Sequence, residues 1–314
     1  MSNVVCLCNL TIADRRIVGG KGANLGELTR MMSKRVKVPP GFCIPTTTFD
    51  QSCKSIKSEL ERDMTQIWIN NYEIEVNASH AIQSLRLPND IREEIQATFA
   101  HMFKDELVAV RSSASGEDSD HYAFAGLGDT FLNCTSVNLI RSIKKCWASL
   151  YTARSIEYRK HFGLTTGSMG VVIQKMIEAE KAGVIFTVDP RNDFLNHEQM
   201  IIEANFGYGV SIVGGLVSPD QYVIQKSTGT VIKKKVQDKK VQVIKDAKKG
   251  VIIRDMPECI KKDQCLNDDE IKQLNHIARE VENHFRKPQD IEFAIEKNSG
   301  QIWILQSRPI IFIN

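Results

Sequence analysis

The chain has 314 residues, 42% apolar and 25% charged, with a formal charge of +3. That composition is a soluble globular one, long enough for two domains or lobes, and it is too balanced in charge to predict nucleic-acid binding. Without an apolar run of about 18 residues, nothing is expected to span a membrane. The eight cysteines lack metal-type spacing, with no C-x-x-C and only Cys6 and Cys8 one residue apart, so no zinc site is expected. Free thiols in this number predict a reducing compartment, with the cytoplasm as the default.

In chain order, residues 19–32 (GGKGANLGELTRMM) read as a glycine turn leading into a helix with Leu25, Leu28, Met31 and Met32 on one face. VPPGFCIPTTTF follows, stiffened by Pro39, Pro40 and Pro45. Residues 50–105 read as mostly helical, broken at Leu87-Pro88-Asn89-Asp90. The last of these helices carries Ile91, Ile95, Phe99 and Phe103 at a spacing that makes one apolar face. Val108-Ala109-Val110 begins a strand that runs into Arg111 and a loop with Glu117, Asp118, Asp120, Gly126 and Gly128. Residues 136–162 are again helical by pattern.

From Val171 the composition turns to strands: VVIQKMI, AGVIFTVDP, QMIIEANFG, DQYVIQK and TVIKKKV, interrupted by one helix over 268–286. The lysines at 233, 234, 235, 239 and 240 cluster, but Thr, Val and Gln alternate around them, and they read as a solvated hairpin face. The shift near residue 170 divides an α-rich first lobe, 1–177, from a β-rich second lobe, 178–314.

Three segments offer chemistry. DIEFAIEKNSGQIWILQSRPI reads as a hairpin around Asn298-Ser299-Gly300. Pairing Ile295 with Trp303 and Phe293 with Leu305 matches the apolar side chains on one face. The same register sets Glu292 opposite Gln306 and Asp290 opposite Arg308 on the other. Carboxylate and amide oxygens suit a hard cation such as Mg2+, and the arginine fork suits phosphate. An exposed polar face with an Asp290–Arg308 ion pair is the plainer alternative.

Gly19-Gly20-Lys21-Gly22 could cradle phosphate through backbone N–H groups and the ammonium, or be only the opening turn of a helix. It is not the Walker pattern, because glycine follows the lysine. Arg111 leaves its strand in position to reach an anion, and Gly126 and Gly128 permit close backbone approach.

Taken together and in order, GGKGANLGEL, VPPGFCI, VAVRSSASGED, FAGLGDTFLN, AGVIFTVDP, GYGVSIVGGLVSPDQY and DIEFAIE…ILQSRP resemble the nucleotide-binding domain of the pyruvate phosphate dikinase family. Phosphoenolpyruvate synthase and rifampin phosphotransferase belong to that family. The resemblance covers nearly the whole chain. It implies an α+β, ATP-grasp fold with two lobes closing over ATP.

It further implies that Lys21 and Arg111 bind phosphate, that Glu292 and Gln306 bind the metal, and that Arg308 is a catalytic arginine. Gln174, Lys175, Met176 and Ile177 match the inter-lobe hinge that meets adenine. Gly126, Gly128, Asp129 and Thr130 match the mobile loop over the phosphates. Glu203 and the Gly207–Gly209 turn lie where the second lobe approaches the nucleotide. The implied cofactors are ATP and Mg2+.

Family members also carry a swivelling phosphohistidine domain, with a Gly-Gly-…-Ser/Thr-His signature, and an acceptor domain. Gly214-Gly215 is followed by LVSPD and not by histidine. His80, His101, His121, His161, His197, His276 and His284 lack that context and read as structural or surface residues. His121 lies in the phosphate-loop region. The expected activity is therefore transfer of the β-phosphoryl of ATP to a histidine on another domain or protein, with AMP and phosphate released. A self-contained kinase or ligase, and a non-catalytic nucleotide-binding subunit, are the rival readings.

Overall fold

A computed structural model describes residues 2–31, 35–65, 70–115, 128–164, 166–189, 198–246 and 250–311. The chain forms two compact units, Met1–Arg30 with Pro40–Met176, and Met31–Pro39 with Ile177–Asn314. The division near the middle falls between Met176 and Ile177. The short segment Met31–Pro39, placed in the first lobe on sequence, goes with the second unit. There Ile304 N–H donates to the Lys37 carbonyl at 2.7 Å, and Arg35 pairs with Glu280 at 2.8 Å.

The first unit is built on a five-stranded sheet. Its strands are β1 (Val5–Cys6), β2 (Gly41–Ile44), β3 (Val108–Ala114), β4 (Thr130–Cys134) and β5 (Met169–Lys175), in the order β1-β2-β5-β3-β4. Every pairing is antiparallel. Seven α-helices are described: α1 (Arg15–Arg30), α2 (Thr46–Ser52), α3 (Lys54–Thr65), α4 (Asn71–Ser84), α5 (Asn89–Phe103), α6 (Leu139–Ala148) and α7 (Ala153–His161).

The main core lies on one sheet face, where Phe42, Ile44, Val108, Val110, Val171 and Ile173 meet apolar side chains of α2 to α7. On α5 the stripe Ile91, Ile95, Phe99 and Phe103 is buried as its spacing requires. Each such side chain contributes about 1.5–3 kcal/mol of burial. Asn70 starts α4 by accepting from Glu73 N–H at 2.8 Å, the ordinary capping bond.

The opposite sheet face mixes small residues with Arg111 and Gln174. Cys43 pairs with Val172, which pairs with Arg111, which pairs with Thr130. One row along, Gly41 pairs with Gln174 and Gln174 with Ala109. Helix α1 lies on this face. Leu25 and Leu28 are buried, whereas Met31 falls beyond the helix and Met32 lies outside the described residues.

The second unit is built on a six-stranded antiparallel sheet, order β13-β12-β6-β7-β8-β9. Its strands are β6 (Ala179–Phe186), β7 (Gln199–Phe206), β8 (Asp220–Gln225), β9 (Val231–Lys235), β12 (Gln289–Glu296) and β13 (Ile302–Pro309). A single turn, α8 (Val210–Val213), follows β7. A separate hairpin, β10 (Val241–Asp246) with β11 (Gly250–Asp255), was not read from the sequence. Gly207 brings it in. With φ +81° and an ideal Cβ only 2.3 Å from the Val243 carbonyl oxygen, that position excludes any side chain. Helix α9 (Asp268–Phe285) begins with a reciprocal Asn267–Glu270 capping box and buries Ile271, Leu274, Ile277, Ala278 and Val281.

The lysine-rich segment departs from the sequence reading at one residue. Lys233, Lys234, Lys235 and Lys240 are exposed, and the first three, on the edge strand β9, discourage pairing with another strand. Lys239 is fully buried. Its Nζ donates to Asp220 Oδ1 at 2.7 Å, and neither side chain reaches solvent. Asp220 also accepts from the backbone N–H groups of Gln237 and Cys265, both at 2.8 Å.

Candidate functional site

In the first unit, the broad face of the sheet opposite the main core assembles several of the residues singled out above. Arg111 and Thr130 are cross-strand partners, and Gln174 lies on the adjacent strand of the same face. Lys21, on α1 over that face, is 9% exposed and Arg111 7%. Two buried cations of one sign tolerate such positions only when hydrogen-bonded or set against an anion.

The glycines around Lys21 have a packing role. Gly19 has φ +77° and ψ 174°, which interrupts α1, and an ideal Cβ there would lie 2.0 Å from the Ser113 carbonyl oxygen. At Gly22 the same construction meets Cys43 Sγ at 3.1 Å. The glycines thus bring the Lys21 turn down onto strands β2 and β3.

Gly128 abuts β3, with an ideal Cβ 2.0 Å from Ser112 Oγ, and Ser112 N–H donates to the Asp129 carbonyl at 3.0 Å. Burial pushes the Asp129 carboxyl up from its ordinary value. Glu75 adds to this and Lys145 opposes it. Gly126, with Glu117, Asp118, Asp120, His121 and His197, lies outside the described residues.

Of the segment expected to meet adenine, Gln174 is buried within β5. Lys175 turns outward to Glu106 at 2.6 Å. Met176 N–H donates to the Leu107 carbonyl at 2.9 Å. Ile177 belongs to the second unit and is 5% exposed, in an apolar cluster with Ala182 and Ala294, flanked by Ala179, Trp303 and Leu305.

In the second unit, the β12–β13 hairpin sets Asp290 opposite Arg308 and Glu292 opposite Gln306, as the alternation required. Beyond Glu292 the expected register fails. A bulge between Glu292 and Phe293 makes Leu305 an extra residue, so Phe293 pairs with Ile304, Ala294 with Trp303 and Ile295 with Ile302. The bulge turns Trp303 and Leu305 to the side of Glu292 and Ala294, next to Ile177. Phe293, Ile295, Ile302 and Ile304 are left to the buried face. An apolar patch and a polar row therefore sit side by side on one surface.

The polar row continues across the sheet. Gln306, Glu292, Val184, Glu203 and Gln221 are successive cross-strand partners. With strands ~4.8 Å apart, Glu203 lies about 10 Å from Glu292 on the same face. Gln221 Nε2 donates to Glu203 Oε1 at 2.9 Å.

Asp290 Oδ2 receives Arg308 Nε at 2.8 Å and one Nη at 2.7 Å, so the ion pair read as the plainer alternative is present and orients the guanidinium. Burial raises the Asp290 carboxyl from its ordinary value, and the Arg308 charge opposes that. Among the described residues no cluster of three or more His, Cys, Asp or Glu could hold a metal by itself. The donor set at Glu292 and Gln306, one carboxylate and one amide oxygen, fits a hard divalent ion that takes its other ligands from phosphate and water.

The motifs behind this arrangement recur in known proteins. Residues 15–314 match the family described as pyruvate phosphate dikinase, AMP/ATP-binding domain. The chain belongs to this family. It is an ATP-binding domain of the ATP-grasp type.

It is 36% identical over 99% of its length to a probable phosphoenolpyruvate synthase of Methanocaldococcus jannaschii, covering 27% of that protein. To the probable phosphoenolpyruvate synthase of Pyrococcus horikoshii it is 34% identical over 95% of the chain and 42% of the relative. To rifampicin phosphotransferase of Bacillus subtilis it is 34% identical over 94% of the chain and 34% of the relative. The domain thus spans well under half the length of these curated relatives. Among its described residues no helix is long and apolar enough to cross a membrane.

Proposed function

We propose that this domain binds Mg·ATP and passes the β-phosphoryl group to a histidine on another domain or protein, releasing AMP and phosphate. The observation that carries this reading is the hairpin register, which sets Glu292 beside Gln306 and Arg308 beside Asp290 on one face. Bound there, Mg2+ would neutralise charge on the phosphate oxygens.

Lys21 and Arg111 would neutralise charge on the phosphoryl oxygens, and Arg308, steered by Asp290, would do the same as the bond breaks. Ile177, Trp303 and Leu305 offer an apolar surface for adenine, with Gln174 to Met176 supplying backbone groups. Glu203, in the same cross-strand row as Glu292, would approach the nucleotide. Gly126, Gly128, Asp129 and Thr130 would cover the phosphates. This chemistry needs no nucleophile from the domain itself. The relatives' greater length supports further domains that supply the phosphohistidine and the small-molecule acceptor. The eight free cysteines suit a cytoplasmic location.

Phosphoryl transfer requires the accepting atom in line with the leaving group. The 314-residue chain alone is therefore expected to bind Mg·ATP and hydrolyse it slowly. Adding a phosphohistidine domain from a relative should yield AMP and an acid-labile phosphohistidine. Rapid conversion of ATP to ADP with a small acceptor and no partner would instead establish a self-contained kinase.

Replacing Lys21 or Arg111 by Ala should weaken ATP binding while sparing adenosine. A charge-assisted contact contributes roughly 1.5–3 kcal/mol, or about ten- to a hundredfold in affinity. Calorimetric titration with ATP and with adenosine reads the difference, and equal affinities in variant and parent would remove both residues from the phosphate site.

A further inference from the structure

The turn that carries Lys21 is not held by an ordinary helical hydrogen bond. In an uninterrupted α-helix, Gly22 N–H would donate to the Val18 carbonyl four residues back. Here Gly19 breaks the helix, and the Ser113 hydroxyl of β3 stands between the two groups. Its Oγ accepts from Gly22 N–H at 3.0 Å and donates to the Val18 carbonyl at 2.7 Å. Insertion of a side chain into the helical ladder is a recognised cause of a sharp kink.

Ser113 is fully buried, and the surrounding residues are shaped to admit it. Gly19 lies against its carbonyl, and Gly170, its partner on β5, lies against the Val18 carbonyl. Ser113 is two residues from Arg111 on one strand, so both side chains face the same way. One hydroxyl thus ties the backbone on both sides of Lys21 to the strand that presents Arg111.

We infer that Ser113 is a positioning residue, setting Lys21 and Arg111 at the separation that a polyphosphate requires. This rests on the reading of those two cations as phosphate ligands. Without the hydroxyl, Gly22 N–H and the Val18 carbonyl can bond directly. The turn would then close into regular helix and carry Lys21 away from its place beside β3. Alternatively, both groups stay buried without a partner, which loosens the same turn.

The test measures ATP and adenosine affinity by calorimetry on the full 314-residue chain, with thermal melting alongside. Ser113→Ala should lower ATP affinity about tenfold and leave adenosine affinity unchanged. Ser113→Thr, which keeps the hydroxyl on a strand-compatible side chain, should restore the ATP-to-adenosine ratio. In a Lys21→Ala background, Ser113→Ala should change the ratio no further, because its effect runs through the missing ammonium.

A merely structural serine would lower the melting temperature and leave the ratio alone, and that outcome overturns the inference. Should Ser113→Ala not fold, Ser113→Cys, of similar size and with feebler hydrogen bonds, is read the same way. If Lys21→Ala itself leaves the ratio at the parent value, the phosphate-site reading fails. If Lys21→Ala lowers it and Ser113→Ala does not, only the role of Ser113 fails.

Discussion

Glu292→Ala is expected to abolish Mg2+-dependent use of ATP while the chain stays folded. The two halves of that expectation have separate grounds. Glu292 is half-buried on the polar face of β12, so truncation removes no core packing. The buried face of the strand, Ile291, Phe293 and Ile295, is untouched. Chemically, the carboxylate is one of two protein donors proposed for the metal, and the only charged one. Gln306 alone offers a neutral oxygen, and a hard cation bound through phosphate, water and one amide loses its protein anchor.

A metal that polarises phosphoryl oxygens contributes several kcal/mol to transition-state stabilisation, so the loss should exceed a hundredfold in rate, by roughly 1.4 kcal/mol per decade. Two measurements check it: ATP turnover with a phosphohistidine domain present, and the Mg2+ dependence of ATP binding to the isolated chain. Glu292→Gln should fall between the parent and Glu292→Ala. Full turnover with unchanged Mg2+ dependence would remove Glu292 from the site.

Asp220→Ala should cost about 3–5 kcal/mol of stability, the usual penalty for stripping one partner from a buried ion pair. Domains of this kind are stable by about 5–15 kcal/mol, so the second unit would be left marginal. Asp220 is more than half of a pair. It accepts from Lys239 Nζ, from the backbone N–H groups of Gln237 and Cys265, and from Tyr222 Oη at 3.3 Å.

Removing it leaves a buried ammonium over the Phe206 ring and takes the acceptor from the buried Cys265 N–H and the half-buried Gln237 N–H. Replacing Asp220 and Lys239 together by apolar residues should recover only part of the loss. The ammonium penalty is gone in that variant, but the two N–H groups still lack an acceptor. Urea unfolding monitored on both variants decides it. A double variant as stable as the parent would show that the backbone bonds contribute little.

The sequence by itself determined what depends on local periodicity. Helix α5 was legible because Ile91, Ile95, Phe99 and Phe103 recur at helical spacing, and α9 as the one helical interruption of a strand-rich half. Alternation sufficed to place Glu292 opposite Gln306 and Asp290 opposite Arg308. The ordered motifs were enough to reveal the family.

Tertiary structure decided whatever depends on groups distant in the chain. Lys239 has the sequence surroundings of its exposed neighbours, and it is Asp220, 19 residues earlier, that supplies the opposite charge its burial needs. The bulge at Leu305 shifts half the hairpin register and places Trp303 opposite Ala294, because the two sheet faces must each bury what packs against them. The glycines around Lys21 looked like a phosphate cradle or a plain helix start. Their close approach to β3, and the Ser113 hydroxyl inserted into the turn, come from a strand more than 90 residues away. Short-range patterns encode which face a side chain takes; only long-range packing selects which distant backbone it meets.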